Sequence, residues 1–274
     1  MVKEPDSAEV ARELPIDESD LQRALERDQF FLVYQPTIDL QTNAFAGVEA
    51  LIRWRHLDRT VVNPEDFITE LEATGHIIQV GRWALTTACQ QGAIWHAKGY
   101  RFPVSVNISV KQLQLPSFVD DVEQALTSSQ FDPALLVLEF SQKSLQSDVA
   151  VSARQLEALK AFGLGIAVDD FAPGHSPLAN LEEFPVDIVK LDREFIGAIA
   201  KSSEASALVH TLVLLAKSLN VKIIASGVEN AEQRRRLQSE EVDIGQGFLF
   251  SRPHEVDEID RFLEDFAIFS GKPL

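Results

Sequence analysis

Two adjacent carboxylates end an apolar run in the middle of the chain. The segment LGIAVDDFAPGHSPL, residues 164–178, is hydrophobic up to Val168 and then presents Asp169 and Asp170 before a loop with glycine and proline. We interpret the run as a central parallel strand that delivers both aspartates to a site at its carboxyl end. Because neighbouring carboxylates repel each other without a cation, the pair indicates a Mg²⁺ or Mn²⁺ site. The dipeptide alone is also typical of a solvated turn.

Other strand-like runs carry polar residues near their carboxyl ends too. The runs that we predict as strands are Phe30 to Tyr34, Phe45 to Trp54, Pro103 to Ile108, Leu135 to Phe140, Leu164 to Val168, Val186 to Leu191, Val221 to Ala225 and Ile244 to Phe250. The polar residues are Glu49, Asn107, Glu139, Lys190, Ser226 and Gln246. Each alone is also typical of a satisfied buried polar group, but a charge among aliphatic residues is costly without a partner. Their convergence would favour a functional site.

Helical patterns lie between most of these runs. They include Asn63 to Gly75, Ile77 to Lys98, Asp148 to Phe162, Ala205 to Leu219 and a basic helix capped by Asn230. Eight strands alternating with helices predict an α/β fold, a TIM-like (β/α)8 barrel in one domain. The alternative is an open doubly wound sheet, but no glycine-rich dinucleotide turn follows the first strand. The segment from Gln35 to Ala44 is too short for a helical crossover, so we expect one antiparallel strand.

Composition limits the class of protein. The 274 residues carry a formal net charge of −17, which argues against binding a nucleic-acid polymer. No apolar run reaches membrane-spanning length and Cys89 is the single cysteine, so we expect no membrane span and a cytoplasmic protein. We expect residues 1–16 to be an acidic flexible tail or linker and residues 17–274 to form the domain. The pattern Ser19 to Gln22 predicts a capping box that opens a helix to Glu26.

The segment Glu49-Ala50-Leu51, with Arg53 two residues on, resembles the signature of EAL domains, the cyclic di-GMP phosphodiesterases. The resemblance extends from about Leu21 to Phe266. Its further matching segments are Gln35-Pro36, Pro64-Glu65-Asp66-Phe67-Ile68, Glu72 with Gly75, Val106-Asn107, Leu138-Glu139, Asp169-Asp170-Phe171, Lys190-Leu191-Asp192, Gly227-Val228-Glu229 and Gln246-Gly247.

The resemblance implies a barrel with an antiparallel first strand and metal-dependent hydrolysis of cyclic di-GMP to pGpG. Its implied metal ligands, for Mg²⁺ or Mn²⁺, are Glu49, Asn107, Glu139 and Asp169 at a first site, with Asp169 and Asp170 at a second. The implied catalytic residues are Lys190 and Asp170. The implied ligand contacts are Gln35, Pro36, Glu49, Leu51, Arg53, Asp192, Glu229, Gln246 and Pro253.

Three departures from the family pattern fall near the implied metals. Ser226 stands where the family has a glutamate that serves as a second-metal ligand or general base. Gln142 replaces a second glutamate, which by resemblance steadies a mobile loop. That loop reads Phe171-Ala172-Pro173-Gly174-His175-Ser176-Pro177 here, where the added prolines would stiffen it. A neutral serine hydroxyl cannot replace a carboxylate as a base.

These observations leave three functional hypotheses. The first is a cyclic di-GMP receptor or effector module with impaired hydrolysis, in bacterial second-messenger signalling. The second is a slow Mg²⁺- or Mn²⁺-dependent phosphodiesterase that produces pGpG. The third is a protein-interaction module without ligand. The presence of the implied ligand contacts Gln35 and Arg53 argues against this third hypothesis. By resemblance, a homodimer and a regulatory or sensory domain are expected partners.

Overall fold

A closed barrel of eight strands in chain order forms the centre of the protein. The structure is a computed structural model that describes residues 16–56, 61–171, 184–199 and 202–270. The strands are β1 Phe30–Asp39, β2 Phe45–Trp54, β3 Val104–Ile108, β4 Leu136–Ser141, β5 Gly165–Phe171, β6 Ile188–Leu191, β7 Lys222–Ala225 and β8 Ile244–Gln246. The predicted (β/α)8 barrel is therefore confirmed.

The first strand runs against its two neighbours, as the short connection predicted. β1 pairs antiparallel with β2 and with β8, and every other neighbouring pair is parallel. Gln35 lies opposite Glu49, and Thr37 lies opposite Gln246. The predicted end of β1 at Tyr34 was wrong, because pairing with β8 extends the strand to Asp39. Similarly, β8 ends at Gln246, four residues before the predicted end.

Helices surround the barrel. Their bounds are α1 Glu18–Glu26, α2 Pro64–Thr74, α3 Ile77–Ala97, α4 Val110–Leu113, α5 Phe118–Ser129, α6 Gln142–Gln146, α7 Val149–Lys160, α8 Arg193–Ile199, α9 Ser203–Ser218, α10 Ala231–Ser239 and α11 Val256–Ser270, with a 3₁₀ turn at Pro133–Leu135. The capping box of α1 begins at Asp17 instead of Ser19, and its second member is Asp20. Both residue types accept the hydrogen bonds of a helix start, so the sequence alone did not distinguish them.

The hydrophobic core has two parts. The larger cluster contains the side chains that the barrel strands direct toward the helices, such as Leu138, Phe140, Val189 and Leu191. A second cluster lies beside β1 and β2 and joins α1 to α2 and the start of α3. Its members are Leu21, Ala24, Phe30, Trp54, Val62, Phe67, Leu71, Ile77 and Val80. Through this second cluster, α1 is packed as part of the domain.

Two expectations from the sequence concern the amino-terminal tail and membrane-spanning helices. Residues 1–15 of the predicted acidic tail lie outside the described residues, so its flexibility stays a prediction. Within the described part of the chain, no single helix combines the length and hydrophobicity needed to cross a bilayer. The sharply bent pair α8 and α9 meets that criterion only when its two helices are taken together.

The buried face of α1 gives a test of the second cluster. Leu21 is fully buried, so Leu21→Ala should lower the free energy of unfolding by about 2 to 5 kcal/mol, measured by urea denaturation. The neighbouring residue Gln22 is exposed and supplies a matched control. Gln22→Ala should change the free energy of unfolding by less than about 0.5 kcal/mol. Equal effects of the two substitutions would show that α1 is not packed on the domain.

Candidate active site

Strand alternation directs charged side chains into the barrel. On β4, Glu139 stands between Leu138 and Phe140, which both belong to the large core cluster. On β6, Lys190 stands in the same way between Val189 and Leu191. Because successive residues of a strand point to opposite faces, burying the aliphatic neighbours against the helices forces the charged side chains inward. The sequence therefore sets the direction of these side chains.

A buried lysine joins the charges of three strands. The Lys190 ammonium lies 2.9 Å from Glu49 Oε2 and 3.5 Å from Asp169 Oδ2, and it donates a hydrogen bond to Glu139 Oε2. Lys190 is 3% exposed and Glu139 is 2% exposed. One ammonium faces three carboxylates, so the cluster keeps an excess of negative charge when all of them are ionised. Buried charges of this kind are stable only when they are paired.

The same three carboxylates fit a divalent cation. One oxygen from each of Glu49, Glu139 and Asp169 lies within 4.8 Å of the others. Hard cations such as Mg²⁺ and Mn²⁺ prefer carboxylate and amide oxygens. The excess negative charge and the all-oxygen donor set therefore fit a divalent cation, and its identity as Mg²⁺ or Mn²⁺ stays a prediction.

Amide side chains orient Glu49 from both sides. Asn107 Nδ2 donates to Glu49 Oε1 over 2.6 Å, and Gln246 Nε2 donates to Glu49 Oε2 over 2.7 Å. Gln246 Nε2 also lies 3.3 Å from Gln35 Oε1, and Gln35 Nε2 donates to the Ser251 carbonyl. Asn107, Glu49, Gln246 and Gln35 were all predicted as site residues, whereas Ser251, which contributes its backbone carbonyl, was not. The network holds Glu49 in one orientation before any ligand arrives.

The shared charges shift the ionisation of the cluster. Burial and the neighbouring Glu49 raise the pKa of Glu139 to about 8. Burial also acts to raise the pKa of Glu49, but Lys190 and the amide donors outweigh it, so this pKa lies below its ordinary value. The surrounding carboxylates outweigh burial at Lys190 and hold its pKa well above the usual range. Lys190 is therefore a permanent cation in this site.

A bulge presents the two aspartates. The pairing of β5 with β6 shifts register between Val168 and Phe171, so Asp169 and Asp170 lie in an irregular stretch. Asp170 has a φ of 56°, in the left-handed region, and its N–H donates to Asp169 Oδ1 over 2.9 Å. Burial and the Asp169 charge raise the pKa of Asp170. Such strain is concentrated at functional sites in proteins.

A cavity of about 240 Å³ opens above this cluster. The predicted site residues that line it are Gln35, Glu49, Leu51, Asp169, Asp170, Lys190, Asp192, Ser226, Glu229 and Gln246. Beside it lies a more apolar cavity of about 300 Å³, which shares Leu51, Asp169 and Asp170 and is bordered by Asn107 and Glu139. The strand ends therefore converge as the sequence predicted.

Three predicted ligand contacts lie apart from the lining of these cavities. Arg53 follows Leu51 on the same face of β2, but its guanidinium donates to the Ile52 carbonyl. Pro36 follows Gln35 on β1, so its ring leaves the opposite face of the strand. Pro253 precedes the bridge between His254 and Tyr34. Their ligand contacts stay predictions.

Ser226 lies directly after β7 and lines the 240 Å³ cavity. Its backbone N–H donates to the Leu191 carbonyl, which fixes its position beside β6. The Ser226 hydroxyl oxygen is buried and has no hydrogen-bond partner among the described residues. The short side chain thus leaves a polar atom unsatisfied, among the described residues, at the position where the resemblance implies a carboxylate.

The structure describes one of the two other departures, Gln142, and does not describe the loop after Phe171. Gln142 is the first residue of α6, directly after the helix cap Ser141, and it is partly buried. The loop with Ala172, Pro173 and Pro177 lies outside the described residues. Four residues that line the 240 Å³ cavity were not predicted as site residues: Arg193, Gly227, Gly247 and Phe248. Arg193 forms an ion pair with Glu229, and no signal in the sequence distinguished it from a surface arginine.

The raised pKa of Glu139 predicts a pH dependence of stability in a chelating buffer. A carboxyl that is harder to ionise when folded stabilises the protein below about pH 4.5, and this stability is lost as the pH rises through about 8. Glu139→Gln removes that titration while keeping hydrogen-bonding capacity. The free energy of unfolding of the variant should therefore rise relative to that of the unsubstituted chain between about pH 5 and about pH 8, by urea denaturation.

The control for this pH series is Glu123→Gln, a substitution at an exposed position on α5. Its difference from the unsubstituted chain should stay constant over the same pH range. A constant difference for Glu139→Gln as well would contradict the raised pKa.

Comparison with known proteins places these features in a family. Residues 18–253 match the EAL domain family. The chain is 38% identical over 241 residues to MucR of Pseudomonas aeruginosa, a bifunctional diguanylate cyclase/cyclic di-GMP phosphodiesterase, covering 88% of this chain and 35% of that protein. It is 32% identical over 249 residues to the cyclic di-GMP phosphodiesterase PdeR of Escherichia coli, covering 91% and 38%. The chain thus spans little more than a third of these relatives' length.

Solved structures support the same assignment. The structure described as the PaMucR phosphodiesterase in complex with c-di-GMP superposes with a TM-score of 0.84 at 38% identity, covering 88% of this chain and 98% of that one. An EAL domain protein from Listeria monocytogenes superposes with a TM-score of 0.81 at 28% identity, covering 92% and 99%. With the family match over most of its length and a barrel of the same form, the chain belongs to the EAL domain family.

Proposed function

We propose that this domain binds cyclic di-GMP and hydrolyses it poorly, and so acts as a receptor or effector in second-messenger signalling. The observation that carries the proposal is Ser226, whose buried hydroxyl has no hydrogen-bond partner among the described residues and stands where the resemblance implies a carboxylate, beside the cluster around Lys190. The relatives support the ligand, since they include a phosphodiesterase in complex with c-di-GMP. The substitution supports the loss of hydrolysis.

Binding rests on the part of the site that is intact. EAL phosphodiesterases depend on a divalent metal, and Glu49, Asn107, Glu139 and Asp169 would hold one Mg²⁺ or Mn²⁺ here. A cation so held would supply positive charge for the phosphodiester and lower the pKa of a bound water. The chain itself adds the Lys190 ammonium, which stays protonated and can hold a phosphate oxygen. Glu49 needs no reorientation, because its donors already fix it.

Hydrolysis needs a group that accepts a proton from water near the phosphate. A glutamate after β7 could do so. The Ser226 hydroxyl is neutral at physiological pH, and the serine side chain is two carbons shorter than that of glutamate. Losing a general base costs about 10²- to 10⁴-fold in rate. Ser226 also cannot hold a second cation as a carboxylate would, so we propose a single metal site. Of the implied second-site ligands, Asp169 and Asp170 remain, and the pKa of Asp170 is raised by burial and by the Asp169 charge.

Gln142 adds to the impairment in the proposal. It follows Glu139 by three residues, across the turn from β4 into α6. By resemblance, a glutamate at this position steadies a mobile loop, and an amide keeps hydrogen bonding but removes the negative charge. In the proposal, Gln142 therefore weakens the hold on the loop that follows Asp170, while Ser226 removes the carboxylate itself.

A slow phosphodiesterase that forms pGpG is the second candidate. It is favoured by the intact contact of Lys190 with Glu49, Glu139 and Asp169. In this case a water in the space beside Ser226 would take over part of the proton transfer. The two candidates differ in turnover and agree on the ligand.

The proposal includes a controlling domain and a homodimer. Because the curated relatives are about three times as long as the matched region, we propose that a regulatory or sensory domain controls this one. A homodimer is proposed through α9, where Leu208 is 42% exposed and Leu214 is 56% exposed. Both features would couple ligand binding to an output.

Restoring the missing carboxylates tests the cause of impairment. Ser226→Glu with Gln142→Glu should raise the rate of pGpG formation by about 10²-fold or more in Mg²⁺ or Mn²⁺, because it returns a proton acceptor to the site. Product would be measured by chromatography. The matched control pairs Ser226→Gln with Gln142→Glu, which adds the same side-chain length without a base and should give no comparable gain. Equal rates in the unsubstituted chain and the double variant would contradict the proposal.

A further inference from the structure

The 240 Å³ cavity contains a cation that the carboxylate cluster does not use. Of the described residues that line this cavity, Lys190 and Arg193 carry the positive charges. Lys190 is enclosed by three carboxylates, whereas Arg193 pairs with Glu229 over 2.6 Å at the rim. The side chains of Arg193 and Glu229 are 68% and 47% exposed. An ion pair this exposed is weak, so the anion of a ligand can replace the Glu229 carboxylate.

Close packing holds Arg193 beside the residue that follows β7. Ser226 N–H donates to the carbonyl of Leu191, which precedes Arg193 by two residues. Gly227 has a φ of 74°, and an added Cβ there would lie 2.3 Å from Arg193 Cγ. A residue without a side chain is therefore needed for the arginine stem to cross at this point. We call Arg193, Ser226 and Gly227 together the Arg193 corner.

The serine changes the charge of the Arg193 corner. A glutamate at position 226, which the resemblance implies, would place a carboxylate here and repel an arriving anion. Ser226 is neutral instead, and its hydroxyl oxygen has no hydrogen-bond partner among the described residues. Because no hydrogen bond within that part of the chain holds the hydroxyl, it is free to turn and donate to a ligand. The corner thus offers a guanidinium fork and an O–H donor, and anionic oxygens accept from both.

A phosphomonoester is the anion that suits the Arg193 corner. Hydrolysis of one phosphodiester of a cyclic dinucleotide opens the ring and gives a linear dinucleotide with a terminal phosphate. That phosphate has a charge of about −1.5 to −2 at pH 7 and three strong acceptor oxygens, which is more than a diester offers. The planar guanidinium of an arginine can bind two such oxygens at once. The corner therefore favours the linear form over the same dinucleotide without its terminal phosphate.

We propose that the Arg193 corner binds the terminal phosphate of a linear guanine dinucleotide, so that this domain is a receptor for pGpG as well as for cyclic di-GMP. The inference rests on the proposed function for the identity of the dinucleotide. Arg193 is a binding residue and has no part in the chemistry. Since both ligands would occupy one cavity, pGpG supplied by any phosphodiesterase that opens the ring would compete with cyclic di-GMP here.

Calorimetric titration with pGpG and with GpG, the same dinucleotide without its terminal phosphate, tests the Arg193 corner in Mg²⁺ at low salt. The unsubstituted chain should bind pGpG more tightly than GpG. Arg193→Gln should reduce this ratio of affinities by about 5- to 20-fold, between the effect of an exposed ion pair and that of a hydrogen bond to a charged group. A general loss of folding would weaken both ligands equally and leave the ratio unchanged.

Two further variants identify the groups that act. Arg235→Gln removes the same charge from an exposed position on α10, outside the cavity lining, and should change the ratio by less than about 2-fold. Ser226→Ala removes the O–H donor and should lower the ratio by about 2- to 10-fold. The same ratio in Arg193→Gln as in the unsubstituted chain would overturn the proposal. The same ratio in Ser226→Ala would overturn the part of the serine hydroxyl.

Titration with cyclic di-GMP in the same buffer separates this inference from the proposed function. Binding of cyclic di-GMP without binding of pGpG would overturn the inference and leave the proposed function intact. Binding of pGpG with a preference that depends on Arg193, but no binding of cyclic di-GMP, would support the inference and overturn the proposed function. Absence of binding for cyclic di-GMP, pGpG and GpG would overturn both.

Discussion

The structure of the site depends on a single buried ammonium. Lys190 is almost fully enclosed and meets carboxylates from β2, β4 and β5. Without that cation, Glu49 and Glu139 would bring uncompensated charge into the barrel, which costs several kcal/mol. Even with it, the carboxylates outnumber the cation, as the raised pKa of Glu139 reflects. The folded domain is therefore prepared for a further positive charge at one place.

Much of the fold was predictable, because alternation and helix ends are local signals. The short link between β1 and β2 predicted the antiparallel strand, since a five-residue connection from Leu40 to Ala44 cannot hold a crossover helix. The sequence also predicted the residues that converge, because Glu139 and Lys190 each interrupt aliphatic runs. These inferences needed only the period of a strand and the direction of barrel strands.

Other features depend on contacts between distant segments and were not predictable. The sequence predicted a strand through Phe250, but β8 ends at Gln246, Gly247 lies against the backbone of Val228, and Phe248 lines the cavity. The bulge at Asp169 and Asp170 likewise arises from pairing with β6. In each case a local pattern was overruled by a neighbouring backbone that lies far away in sequence.

In the proposed function, binding and hydrolysis draw on different parts of the site. The groups that would hold a cation and a phosphodiester are in place around Lys190, while the residue after β7 is a serine whose hydroxyl has no partner in the described part of the chain. The most direct measurement is calorimetric titration with cyclic di-GMP, once in EDTA and once in Mg²⁺, with chromatography of the same samples for pGpG. The account predicts heat of binding with at most a few turnovers of product, and sustained pGpG formation in Mg²⁺, or no binding in either buffer, would contradict it.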